Sequence, residues 1–175
     1  MHTSLLHADE IDRVIERLAS QIVERHGACA DTVLLGIQRR GADIAKRLCV
    51  VLEKKTGRAF DQCSLDINLY RDDWTAPHGK PVIGESCVPV SLEGKDVILV
   101  DDVLFTGRTI RAALEAILDY GRPRLVELLV LIDRGHRELP IHADYVGRTV
   151  NTAKSEQVNV YLHERDGHDE VVLEG

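Results

Sequence analysis

Basic residues are scarce in this chain: 22 Lys and Arg face 29 Asp and Glu, a net charge of −7 over 175 residues. That balance excludes a whole-surface electrostatic grip on nucleic acid or anionic membrane, so any polyanion must be held locally. Long hydrophobic runs are missing too. No apolar stretch approaches the ~20 residues that span a bilayer, and residues 1–18 are interrupted by His2, His7, Asp9, Glu10 and Asp12, so neither a membrane span nor a signal peptide is expected. Cys29, Cys49, Cys63 and Cys87 include no Cys-x-x-Cys pair, which argues against a zinc ribbon and for reduced, buried thiols in a cytoplasmic protein. Aromatics reach only 4%, too few for a sheet-borne base-stacking platform, so Trp74 and Tyr145 are expected to pack. No His-x-x-x-His spacing exists, and His136 is assigned no metal.

What is present suits one folded unit over residues 1–175, since 44% hydrophobic residues can close a sizeable core. Ile11, Val14, Ile15, Leu18, Ile22 and Val23 recur at helical spacing and Gly27 follows as a stop, predicting a first helix over 9–25. Residues 32–37 form a continuous apolar run, as in a strand buried on both faces, and Gly41 opens a second helix. Residues 64–70 alternate and 82–90 are strand-like, with a polar arm from Arg71 to Lys80 between them. A fully apolar strand at 97–100 ends in Asp101-Asp102; Thr106 or Thr109 is expected to cap the helix after it, which Gly121 and Pro123 stop. Residues 125–132 form another buried strand, with short strands expected at 143–146, 158–162 and 171–173. This order predicts an α/β fold: a mostly parallel twisted sheet flanked by helices, with a small antiparallel appendage and an arm.

The informative stretch runs from Val97 to Thr109. A buried strand delivers two carboxylates to its carboxyl end, and Thr106-Gly107-Arg108-Thr109 follows where a helix begins. Backbone N–H groups with two hydroxyls can ring a phosphate, Gly107 permits close approach, and the helix dipole adds about 0.3–1 kcal/mol. Carboxylates repel phosphate, so Asp101 and Asp102 suit ribose hydroxyls, or Mg²⁺ through water. Taken singly, an aspartate pair ends many strands and a threonine caps many helices; the joint pattern points to a phosphorylated sugar. It resembles the thirteen-residue phosphoribosyl-diphosphate signature of type I phosphoribosyltransferases.

The resemblance widens with Gly36-Ile37-Gln38-Arg39-Arg40-Gly41, with Asp66-Ile67-Asn68-Leu69-Tyr70-Arg71-Asp72-Asp73, and with Asp133-Arg134-Gly135-His136-Arg137-Glu138-Leu139-Pro140-Ile141. Together with Ala143-Asp144-Tyr145-Val146-Gly147 these are similar to the PyrR family of pyrimidine operon attenuation regulators, whose members double as uracil phosphoribosyltransferases. The resemblance implies a type I phosphoribosyltransferase fold in which Asp101 and Asp102 are catalytic and bind the ribose. Thr106, Gly107, Arg108 and Thr109 would take the 5′-phosphate, and Arg39, Arg40, Gly41 and Arg71 the diphosphate. Ile132, Asp133, Arg134 and Val158 would form the base site. The arm resembles the mobile loop that closes over the reactive centre in such enzymes. Uracil, phosphoribosyl diphosphate and UMP are the implied ligands, Mg²⁺ arrives with the substrate, no metal is held directly by protein, and a dimer or larger homo-oligomer is expected.

Three functions remain open on the sequence. The first is uracil phosphoribosyl transfer combined with UMP-responsive binding of pyrimidine-operon leader RNA through His136, Arg137, Arg148 and Lys154. The second is an RNA-binding regulator with little catalysis; Glu16, Ser20 and His142 depart from the regulator pattern and weigh against RNA binding while leaving catalysis untouched. The third is a type I transferase for a purine base, because the signature reads only the sugar phosphate.

Overall fold

The computed structural model describes residues 2–72 and 85–175. Five parallel strands make the central sheet: β2 (Thr32–Ile37), β3 (Cys63–Leu65), β4 (Asp96–Leu104), β5 (Leu125–Asp133) and β6 (Tyr145–Thr149), in the order β3-β2-β4-β5-β6. Helices α1 (Ala8–His26) and α2 (Arg40–Thr56) cover one face, and α3 (Arg108–Ile117) covers the other. The period of two sorts the side chains between them. Leu34, Ile98, Val100 and Leu129 pack with α1 and α2, while Leu35, Val97, Leu99 and Val130 pack with α3. A second sheet, antiparallel, joins β1 (His2–His7), β8 (Glu170–Glu174) and β7 (Gln157–Tyr161) in the order β1-β8-β7, with the short helix α4 (His163–Asp166) between β7 and β8.

α1 buries Ile11, Ile15, Leu18 and Ile22, starts where the Glu10 carboxylate accepts the His7 N–H at 2.9 Å, and stops at Gly27 with φ 58°.

The parallel sheet, its two helical faces and the antiparallel appendage match the sequence reading; several details do not. β1 has no counterpart in that reading, because its partner β8 lies at the far end of the chain and the helical period of α1 dominates that window. Residues 64–70 are not one strand: β3 ends at Leu65, and Asp66 Oδ1 accepts the Asn68 N–H at 2.9 Å, turning the chain into a 3₁₀ turn at Asn68–Tyr70. β4 does not stop at the aspartates but runs through them to Leu104. Thr109 does not cap α3; the cap position is Gly107 at φ 93°, and the Thr106 hydroxyl accepts the Arg108 N–H at 3.4 Å from just before it. The strand expected at 82–90 is, in its described part, a single antiparallel bridge between Ser64 and Cys87. The arm beyond Asp72, Trp74 included, lies outside the described residues.

Candidate active site

Three segments leave the carboxyl ends of neighbouring strands β2, β4 and β5, where open α/β sheets bind ligands. On β4, Asp101 is buried, and its Oδ1 accepts the Asp102 N–H at 2.9 Å. Asp102 is half-buried, and its own Oδ1 accepts the Val103 N–H at 2.9 Å. Burial first, and then the Asp102 charge beside it, push the Asp101 carboxyl well above the usual carboxylate range; the Arg71 guanidinium opposes them. Arg71 thus acts electrostatically on Asp101.

Beyond Leu104 the chain turns sharply. A Cβ on Gly107 would stand 3.0 Å from Ile141 Cγ1, and the positive φ also demands glycine. The Thr106 carbonyl accepts N–H groups from Glu138 at 2.9 Å and Leu139 at 3.2 Å, so the 133–141 loop is laced to this turn. The N–H groups of Gly107 and Thr109 and the Thr109 hydroxyl find no acceptor or donor among the described residues, which leaves them available to an anion at the start of α3. Arg108 is differently placed. Its guanidinium pairs with Asp72 at 2.9 Å and Glu138 at 3.0 Å, tying the root of the arm to the 133–141 loop.

The β2–α2 turn rests on two glycines. A Cβ on Gly36 would fall 2.3 Å from Ala42 Cα, and one on Gly41 would fall 2.4 Å from the Val100 carbonyl, so the start of α2 presses against β4 beside Asp101. The Gln38–Arg39 peptide is cis. Arg39 is exposed and its side chain has no partner among the described residues. Arg40 is committed to Asp166 of α4, with Nη2 3.1 and 3.3 Å from its two carboxylate oxygens and a buried Nε left unpaired. Of the two arginines, Arg39 is the one open to a diphosphate.

At the end of β5 an open cavity of about 330 Å³ is lined by residues 133–137 and 149–152. Ile132 is wholly buried and Val158 packs against the same core, so neither side chain lines it. The Arg134 guanidinium lies 4.1 Å over the Phe105 ring and donates to the Ala153 carbonyl at 3.0 Å, with its buried Nε unpaired. Asp133 accepts the Gly135 N–H at 3.0 Å and pairs with Arg137.

The four residues suggested for RNA each have a partner within the chain. Arg137 donates to the carbonyls of Ile141 and Phe105, each at 2.9 Å, and to Asp133, so its donors brace the loop from within. Arg148 donates to the Leu5 carbonyl and anchors β1. His136 Nε2 lies 2.7 Å from the Thr152 carbonyl, and Lys154 pairs with Glu138 at 3.3 Å while staying largely exposed. Sequence reasoning misses Asp43, Arg165 and Asp166, which buttress the β2–α2 turn; the spacing of charges at 40, 43 and 47 on one helix face is the available signal. Among the described residues, no three His, Cys, Asp or Glu side chains are arranged to hold a metal, and no helix is long and apolar enough to cross a membrane.

The phosphoribosyl transferase domain family matches residues 2–165. A bifunctional protein PyrR of Pelotomaculum thermopropionicum is 52% identical over 169 residues, covering 97% of this chain and 93% of the relative. Another from Deinococcus deserti is 51% identical over 170 residues, with the same coverage. Among solved structures, the hypoxanthine phosphoribosyl transferase of Trypanosoma cruzi superposes with a TM-score of 0.75 at 20% identity, covering 99% of this chain and 91% of its own. That of Staphylococcus aureus gives 0.70 at 23% identity, covering 97% and 90%. These two likenesses bear on fold alone.

Proposed function

The chain belongs to the phosphoribosyl transferase domain family and, within it, to the bifunctional PyrR proteins, and from that premise we propose that it converts uracil and phosphoribosyl diphosphate to UMP and diphosphate and also regulates pyrimidine gene transcription by UMP-responsive RNA binding. The observation that carries the enzymatic reading is the junction of β4 and α3: a buried aspartate and a half-buried one, followed by N–H groups at a helix start that find no acceptor among the described residues, with the exposed Arg39 on the turn after neighbouring β2. In the reaction the C1–O bond to diphosphate breaks, the bond from C1 to the uracil ring nitrogen forms, and the nitrogen's proton passes to water. Positive charge develops on the sugar, and negative charge on the leaving group.

Asp101 and Asp102 accept from the ribose hydroxyls and face the positive sugar, while Thr106, Gly107 and Thr109 receive the 5′-phosphate. Arg39 and Arg71 neutralise the departing diphosphate. A half-exposed carboxylate beside a buried one is donor chemistry that a hydrated divalent cation accepts through water, so the pair fits Mg²⁺ carried by the substrate. Mg²⁺, when bound, supplies charge neutralisation at the diphosphate. The base is received by backbone groups of Ile132, Asp133 and Arg134 at the cavity ending β5. Arg40 and Arg108 serve this site through Asp166, Asp72 and Glu138, as parts of its frame. Holding both substrates in line supplies roughly 7–11 kcal/mol of the barrier. One domain over 1–175, a cytoplasmic setting and a homo-oligomer, at least a dimer, belong to the same reading.

Incubation with phosphoribosyl diphosphate, Mg²⁺ and uracil tests it, with UMP as the expected product. Nucleotide from hypoxanthine or guanine, and none from uracil, would transfer the assignment to a purine base. For regulation, the chain's own operon leader is titrated with and without UMP; tighter binding with UMP is expected, and no binding at low salt in either condition leaves the enzyme as the whole function.

A further inference from the structure

α2 turns one face toward the carboxyl-terminal appendage. Arg40, Asp43 and Arg47 recur at i, i+3 and i+7, which stacks them along one side of the helix. Each meets opposite charge on or beside α4. Arg40 pairs with Asp166 at 3.1 Å; buried Asp43 pairs with Arg165; Arg47 pairs with Asp169 at 2.8 Å and with Glu164. The first two pairs cross, an arginine of α2 with an aspartate of α4 and an arginine of α4 with an aspartate of α2. Sliding either element along the other would bring like charges together, so the crossing fixes register. Partly exposed pairs add little to stability by themselves, whereas their geometry acts on a particular place.

That place is the Arg39–Gly41 turn. Arg165 Nη2 also donates to the Arg39 carbonyl at 3.4 Å, and Asp166, which holds Arg40, is itself fixed by the Leu162 N–H at 2.8 Å. α4 therefore grips the turn at two consecutive residues and leaves the Arg39 side chain without a partner among the described residues. We propose that Arg165 and Asp166 are positioning residues for the diphosphate: they hold the β2–α2 turn in its receiving shape without touching substrate. The proposal rests on the phosphoribosyl-transfer reading above.

Arg165→Gln and Asp166→Asn are the informative variants, with Glu164→Gln as the control that disturbs the Arg47 pairing and leaves the Arg39 carbonyl contact in place. Arg165→Gln should raise KM for phosphoribosyl diphosphate by about five- to tenfold with kcat within about twofold, the pattern of a lost binding contribution. Inhibition by inorganic diphosphate should weaken by the same factor. UMP carries no diphosphate, so its dissociation constant should stay at the wild-type value. Asp166→Asn should reproduce this split, and Glu164→Gln should show none of it. Equal weakening of UMP and diphosphate would mean that α4 merely docks the appendage, and the proposal falls; unchanged KM in both informative variants overturns it as well. Wild-type protein that forms no UMP would instead remove the functional reading, and direct calorimetry with inorganic diphosphate on wild type and Arg165→Gln would then still decide the positioning role.

Discussion

Asp101 holds its proton more tightly in the folded chain than an exposed carboxyl does, because burial and the neighbouring Asp102 both oppose its ionisation. Its folded pKa lies above the unfolded one, so its contribution to stability is present below the ordinary carboxyl range and declines as pH rises toward the raised value. Asp101→Asn removes that penalty and retains an oxygen for the Asp102 N–H. The variant should therefore melt higher at neutral pH, while uracil transfer falls strongly. Calorimetry and a turnover assay on one preparation check both halves. Thr109→Val should raise KM for the sugar phosphate roughly tenfold, the loss of a hydroxyl donor to a charged acceptor at about 1.5 kcal/mol, with no change in melting because this hydroxyl does not cap α3. At this scale the sequence is most legible in placement: the aspartate pair lies toward the carboxyl end of β4 and Thr109 in the first turn of α3, as the pattern implies. It is least legible for arginines: Arg39 and Arg40 are neighbours of one type, and only the fold reveals that Asp166 claims the second.

Among the elements, the β2–α2 turn packs closely against β4. Gly41→Ala would place a methyl 2.4 Å from the Val100 carbonyl, a clash with backbone that no side-chain rotation relieves. A loss of about 2 kcal/mol or more is expected, read by denaturant unfolding, together with loss of transfer activity because the displaced helix start adjoins Asp101. The 133–141 loop shows the same logic. Arg137→Gln removes donors to three carbonyls and to Asp133, and should cost about 1–3 kcal/mol. A variant of unchanged stability would return Arg137 to a surface role. Long periodic or fully apolar elements, α1, β2, β4 and β5, are legible from pattern. The 3₁₀ turn after β3 is not, since a single Asp66 side chain overrides the alternation of the residues around it.

For the molecule as a whole, a net charge of −7 and arginines spent on internal contacts limit what a polyanion can meet. Leader RNA should bind with a log–log salt slope no steeper than about −2, three phosphates at about −0.7 each, and Lys154→Gln should flatten it by one such step without lowering the melting temperature. A steep slope untouched by Lys154→Gln would put the RNA face elsewhere. The layered sheet and its appendage are legible from element order, but the pairing that closes the appendage is not, because no local pattern announces a partner so distant in the chain. That pairing also sets a schedule. His2 lies opposite Glu174 in the β1–β8 ladder, so β1 is synthesised before the helices and strands between them and finds its mate only once β8 has been made. Until then β1 presents an unsatisfied edge to any neighbouring nascent chain. The parallel sheet can assemble in the meantime, and closure of the appendage follows it.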